Sequence, residues 1–352
     1  MSIEKLTPYL ASTYENFPKG RFIGLVVLRT TLSETIFRTE GTGEPMCREF
    51  VQAGTKVDRR IIERLVMTKR KQVAPERRRG REFLRAYDLL HTVTKKQEEN
   101  ICSLNTNAPC EMCIDCFLYG FAAGGGGAQK SRIWTEDAFS LLSANELLGD
   151  RTLNGVYENG TMRLRRDDED EKEKASKSLN TSEYIKPGVH FLDVVTLKDV
   201  TADELRYAVG NILLTSRYGA VSSRVGRMEN QILGVFGGVA ELPSSLELVQ
   251  SLHDVMTTRE ELLEHPLESS NLVTNLESVI DGWKKRRGIS VKLSADEIEE
   301  LIDDIDRQWS EDERETFLKR LDQSYETFRV VPSTQTAKKS QGKNAAKAKA
   351  GK

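Results

Sequence analysis

Arg21-Phe22-Ile23-Gly24-Leu25-Val26-Val27-Leu28-Arg29-Thr30-Thr31 is an apolar run rich in β-branched residues. It reads as a buried strand. Downstream, Ile36-Phe37 and Phe50-Val51 are short strand candidates around the turn-rich Gly41-Thr42-Gly43. Pro75 suits the first turn of a helix, and Phe83, Leu84, Tyr87 and Leu90 follow at helical spacing. Thr135-Glu136-Asp137-Ala138-Phe139 opens another ordered segment. Thr201-Ala202-Asp203-Glu204 is a capping box, heading a helix with Leu205, Ala208, Val209, Ile212 and Leu213 on its apolar face. A turn at Arg217-Tyr218-Gly219 leads to a strand through Ile232-Leu233-Gly234-Val235-Phe236. Pro243-Ser244-Ser245 then starts a helix that presents Leu248, Val249, Leu252 and Val255.

The order strand, helix, strand, strand, helix, strand predicts an α+β fold: a ferredoxin-like, RNA-recognition-motif-like palm with large insertions. The core is expected over residues 1–265. One insertion, about 54–130, is basic and cysteine-bearing; another, about 164–182, is charged, weakly apolar and read as a mobile loop. Residues 266–331 read as a helical extension. Two more capping boxes, Ser294-Ala295-Asp296-Glu297 and Ser310-Glu311-Asp312-Glu313, head the stripes Ile298/Leu301/Ile302/Ile305 and Phe317/Leu321/Tyr325/Phe328. The lysine-rich end, 332–352, is expected to be disordered.

A length of 352 residues allows one large domain with an appendage, or two domains. The net charge of −2 conceals a segregated surface. Lys56 to Arg85 holds twelve Lys/Arg against four Asp/Glu, Asp167 to Glu171 is wholly acidic, and the last sixteen residues carry six lysines and no acid. A basic face of this kind is what a nucleic-acid groove requires. No apolar run reaches the length of a membrane span, and Met1-Ser2-Ile3-Glu4-Lys5-Leu6 lacks a secretory core. With reduced, clustered cysteines this points to the cytoplasm and away from membrane partners.

Cys102, Cys110, Cys113 and Cys116 place four of five cysteines within fifteen residues, spaced C-x7-C-x2-C-x2-C. Four soft thiolates close a tetrahedral shell, so structural zinc is the favoured cofactor. An iron–sulfur cluster and plain buried thiols are the alternatives; Phe117 stands where a ferredoxin-type run would continue. Cys47 is a substitute for Cys102, because seven intervening residues exceed the usual spacing.

Gly124-Gly125-Gly126-Gly127-Ala128-Gln129-Lys130-Ser131 resembles a phosphate-binding loop but has Gln129 where the Walker pattern needs glycine. What survives is a glycine-rich backbone beside Lys130, Ser131 and Arg132, suited to phosphate contact. Arg217, Tyr218, Ser222, Ser223 and Arg224 form a second glycine-punctuated loop, mixing cations and hydroxyls with one stacking ring. Lys69, Arg70, Lys71, Arg77, Arg78, Arg79 and Arg81 form the third candidate RNA-binding block. A solvated face or an ordinary turn is the plain alternative for each. Catalysis is not expected: His91, His190, His253 and His265 show no metal or triad spacing.

The run Cys110-Glu-Met-Cys-Ile-Asp-Cys-Phe-Leu-Tyr-Gly120, then Lys130-Ser-Arg-Ile-Trp-Thr-Glu-Asp-Ala138, resembles the signature of the RAMP superfamily of CRISPR effector subunits. Tyr157 to Arg163 and Arg217 to Gly226 match the same group. With Gly20 to Arg29, Phe50 to Gly54 and Lys69 to Arg85, residues 1 to about 260 resemble the Csc-type backbone subunit of type I-D Cascade. The resemblance implies an RNA-recognition-motif-like palm with a zinc-binding insertion. It implies copies stacked along a CRISPR RNA, beside small, large and guide-processing subunits, presenting the guide to target DNA or RNA. Relatives that cut RNA use an early-loop aspartate; Thr30 to Thr42 offers only Glu34 and Glu40, so no nuclease is expected. A RAMP-type endoribonuclease is the alternative.

Overall fold

The structure, a computed structural model, describes residues 2–37, 46–95, 98–104, 109–123, 127–154, 179–219 and 225–329. The chain begins with α1 (Ser2–Leu6), β1 (Phe22–Thr31), β2 (Cys47–Gln52), β3 (Ile61–Met67) and α2 (Lys69–Ala86). The cysteine region holds β4 (Thr92–Lys95), β5 (Glu98–Ile101), α3 (Ile114–Tyr119), β6 (Phe121–Ala123) and β7 (Gly127–Gln129). Next come β8 (Ile133–Thr135), β9 (Ala138–Ser143), α4 (Ala144–Leu147), β10 (Leu148–Asn154), β11 (Leu179–Ile185) and β12 (His190–Lys198). Then follow α5 (Ala202–Leu213), β13 (Arg217–Tyr218), β14 (Gly226–Gly238) and α6 (Ser245–Thr258). The described chain closes with α7 (Ser269–Trp283), β15 (Ile289–Lys292), α8 (Ala295–Trp309) and α9 (Arg314–Gln323).

β1 lies inside a nine-stranded sheet whose path is β13-β14-β1-β12-β9-β3-β2, with β15 on β14 and β8 on β12. It pairs antiparallel with β12 from Phe22↔Lys198 to Thr30↔His190, and with β14 from Phe22↔Gly238. Its apolar residues divide between two cores, since successive side chains point to opposite faces. Ile23, Leu25 and Val27 join a core with α5, α8 and α9; Val26 and Leu28 join one with α6 and α7. Burial on both sides explains why β1 is apolar without alternation.

Several expectations change. Ile36 and Phe37 are buried but form no strand, whereas Phe50-Val51 lies in β2. Pro75 sits inside α2 rather than in its first turn; the helix starts at Lys69, so Arg77, Arg78, Arg79, Arg81 and Arg85 lie deeper along it. Of the loop expected at 164–182, residues 179–182 belong to β11, and the rest lies outside the described residues, as do Gly41-Thr42-Gly43 and the tail. The boxes at Thr201 and Ser294 form, but α9 starts at Arg314 with no side-chain cap from Glu313, so Ser310 heads no box.

The C-terminal part is built into the core. β15 extends the sheet, and Trp309 packs against Tyr207, Phe83 and Phe317. Gly210 makes room for it: a Cβ there would lie 1.9 Å from Trp309 Nε1. On the other face, the Asp254 carboxylate of α6 accepts hydrogen bonds from the backbone N–H groups of Thr55, Lys56, Val57 and Asp58. That contact fixes the loop between β2 and β3.

Candidate metal centre and nucleic-acid interface

Cys113 is the N-cap residue of α3 and Cys116 lies in its first turn, so C-x2-C folds as a knuckle on a helix start. The four sulfurs of Cys102, Cys110, Cys113 and Cys116 all lie within 4.8 Å of one another and are buried. Cys102–Cys116 and Cys110–Cys116 are each 3.8 Å apart. Metal–thiolate bonds of about 2.3 Å in a tetrahedron separate the sulfurs by about 3.8 Å, so the pocket fits a metal ion. The Cys110 N–H donates to Cys102 Sγ at 3.4 Å and the Cys113 N–H to Cys110 Sγ at 3.3 Å. Hydrogen bonds from the Cys110, Cys113 and Cys116 thiols hold Cys102 far below the ordinary thiol range. Cys47 lies in β2 and is not part of the cluster, so Cys102 completes the set.

Asp115 sits between two of these cysteines and is fully buried. Arg77 grips it twice, Nε to Oδ1 at 3.0 Å and Nη2 to Oδ2 at 2.7 Å, while Arg81 Nη1 reaches Oδ2 at 2.7 Å. Arg81 also donates to the Cys102 carbonyl. Burial opposes the charge of Arg81, but Asp115 outweighs it and raises its pKa. Glu76, beside Arg77 on the same turn of α2, faces the sheet. Glu76 accepts from Arg29 at 2.7 Å and from the Tyr218 hydroxyl at 3.1 Å. Arg29 Nε in turn donates to Asp193 at 3.0 Å. Burial pushes Asp193 up to about 6 against the pull of Arg29.

These partners divide the predicted RNA-binding residues. Arg81, Arg132 and Tyr218 are buried and leave the candidate interface. Arg132 pairs with Glu204 beneath the Tyr14 ring, and Tyr218 belongs to the Glu76 network. Arg77 is half-buried in its grip on Asp115. Arg79 lies half a turn round from Arg70, over the Phe83 ring at 4.4 Å and paired with Glu82 at 2.8 Å. Ser131 Oγ bonds its own turn at Ile133. Lys69, Arg70, Arg78, Lys130 and Arg217 are exposed, and Lys71 is half-buried. Ser222, Ser223, Arg224 and Gly124 to Gly126 lie outside the described residues.

Lys69, Arg70 and Arg78 line a cleft of about 680 Å³, closed by Ser131, Trp134 and Gly219. No acid lines it among the described residues. An acid-free cationic cleft with an indole in its wall suits a sugar–phosphate chain with a base stacked beside it. Trp134 escaped the sequence reading, although it lies in the Lys130 to Ala138 signature. Its Nε1 donates to the Ser131 carbonyl at 2.8 Å, and Lys198 Nζ stands 4.7 Å from its ring. Asp115 was also missed: nothing in its spacing marks an acid that collects two arginines from a helix thirty-odd residues earlier.

Residues 9–318 match the family model described as Csc2 Crispr. No match was found among proteins of curated function. Among solved structures, the chain is similar to the crystal structure of Thermofilum pendens Csc2, with 19% identity, 94% of this chain and 98% of that one covered, and a TM-score of 0.55. A chain of a type IV-B CRISPR complex matches at 12% identity, over 60% of this chain and 90% of that one, with a TM-score of 0.38. A chain of a CRISPR RNA-guided surveillance complex, pre-nicking, matches at 10% identity, over 75% and 87%, with a TM-score of 0.44. The family match runs past the residue 260 expected from the motifs and takes in α7, β15, α8 and part of α9.

Proposed function

This chain belongs to the Csc2 Crispr family, and on that premise we propose that it is a guide-RNA-binding backbone subunit of a type I-D Cascade effector. Several copies line up along a CRISPR RNA in the cytoplasm, beside the other Cascade subunits. They hold the sugar–phosphate chain and leave the bases free to pair with target DNA, or with RNA. In such a division of labour the protein reads backbone and base pairing reads sequence. The observation that carries this reading is the acid-free cationic cleft on α2 in a chain of this family. Among the described residues no helix is long and apolar enough to cross a membrane.

The palm reading draws support from the sheet. β14-β1-β12-β9 is the order 4-1-3-2 of a ferredoxin-like unit, with α2 and α5 as its two helices. Zinc is the metal we assign to the cysteine pocket, in a structural role, because four thiolates leave no open position for chemistry.

We assign no reaction to this subunit. Glu34, in the early loop, is paired with Arg151 at 2.5 Å, which favours a structural use of its charge. Glu40 lies outside the described residues.

Native mass spectrometry of the protein purified with its bound nucleic acid tests the reading. The expected species carries RNA, several chains per RNA and one zinc per chain. A nucleic-acid-free protein, or a single chain per RNA, would refute it. Metal-dependent cleavage of guide-paired RNA, abolished by replacing one acid, would favour the endoribonuclease instead.

A further inference from the structure

We infer that Asp115 is a positioning residue that ties the metal centre to the cationic helix, so that metal occupancy sets the placement of α2. The last consequence, a change in RNA affinity, rests on the function proposed above; the mechanical coupling does not.

The argument starts from α2. Residues 70, 77, 78 and 81 lie on one face of a helix with 3.6 residues per turn. Arg70 and Arg78 open into the cleft, Arg77 reaches its edge, and Arg81 is buried below. What lies under that face is α3, a six-residue helix too short to hold its shape unaided. Its start is fixed by Cys113 and Cys116, and its acid Asp115 accepts three hydrogen bonds from Arg77 and Arg81. The far end of α3 is tied as well: Arg77 Nη2 lies 3.4 Å from the Gly120 carbonyl, and the Arg132 N–H donates to the Leu118 carbonyl at 2.9 Å. Placement of the cysteines therefore fixes α3, α3 fixes Asp115, and Asp115 fixes the two arginines.

Charge reinforces the geometry. A divalent ion on four thiolates leaves two negative charges, which with Asp115 face two guanidiniums. When the ion leaves, the four sulfurs lose the common partner that holds them in these positions. The Cys102 carbonyl held by Arg81 shifts with the same event, since Cys102 is itself in the cluster.

Hydrogen exchange of the α2 amides, with zinc bound and after chelation by EDTA, tests the coupling. α6, on the opposite face of the sheet, serves as the reference. In the natural protein, chelation should speed α2 exchange by about tenfold or more while α6 stays protected. In Asp115→Asn, α2 should exchange fast with zinc still present at one ion per chain, and chelation should change it little. Unchanged α2 exchange on chelation would overturn the coupling; so would α6 opening together with α2, or Asp115→Asn responding as the natural protein does. If Asp115→Asn fails to fold, Arg81→Met keeps Asp115 paired with Arg77. It should still loosen α2 in the zinc-bound protein, and unaltered exchange there would equally overturn the inference. In parallel, affinity for a single-stranded RNA is titrated against salt. Chelation should flatten the log–log slope in the natural protein by about 2, for Lys69, Arg70 and Arg78 of α2 at about 0.7 each. By reciprocity, RNA must then raise the affinity for zinc. A protein that binds no RNA refutes the proposed function, and the exchange data alone then decide the coupling.

Discussion

Replacing Lys69 and Arg78 of the cleft, together with Lys130 next to its Ser131 wall, by glutamine measures how much of the RNA affinity is phosphate contact. All three side chains are exposed, and none sits in the buried networks around Asp115 or Glu76. Each lost contact with single-stranded RNA removes about 0.7 from the slope of log K against log salt. Three give about 2.1. Scaled from a 1 M reference, the triple variant binds roughly a hundredfold more weakly at 0.1 M salt and converges on the natural protein near 1 M. Fluorescence anisotropy with a labelled single-stranded RNA at four or five salt concentrations resolves this. Parallel lines, with equal slopes and a constant offset, would refute the phosphate role of these cations. An unchanged affinity throughout would remove the cleft from the interface.

Cys102→Ser should abolish stoichiometric metal binding, whereas Cys47→Ser should leave one ion per chain by elemental analysis. Gly210→Ala drives a methyl group into Trp309 and should cost about 2–3 kcal/mol in urea denaturation; a loss below about 0.5 kcal/mol would mean α8 does not pack there. Asp254→Asn leaves part of the N–H set of residues 55–58 without an acceptor, at a cost of about 2 kcal/mol near neutral pH. Burial pushes the Asp254 carboxyl up, but the N–H groups of Val57, Lys56, Thr55 and Asp58 outweigh it and hold it below the ordinary value of 3.8. Its stabilisation is therefore present above that value and lost as pH falls through the lower folded value, so natural and variant stabilities should converge in acid.

The parts of the fold legible in the sequence were those where local chemistry and final environment agree. The apolar run around Val26 is a strand because both its faces are buried, and Thr201 and Ser244 cap helices through their own hydroxyls. The cysteines announced themselves because metal spacing is local. Elements whose identity depends on distant partners were less visible. β15 is four residues with no internal signal, and it is a strand because the end of β14 offers it an edge. Pro75 mimicked a helix start because nothing local shows that the turn before it is already helical. The basic block was read as one surface. A guanidinium serves a phosphate or a carboxylate equally well, and only the fold shows that Arg77 and Arg81 turn inward to Asp115 while Arg78 turns outward.

The loop at residues 54–58 carries one more consequence. A ring of backbone N–H groups is the kind of concavity in which proteins seat phosphate, and here the seat is taken by a side chain of the same molecule, Asp254. The protein thus carries a permanent competitor at a spot that would otherwise attract a polyanion. The N–H groups of the loop therefore have their acceptor within the chain, supplied by α6 on the face of the sheet opposite α2.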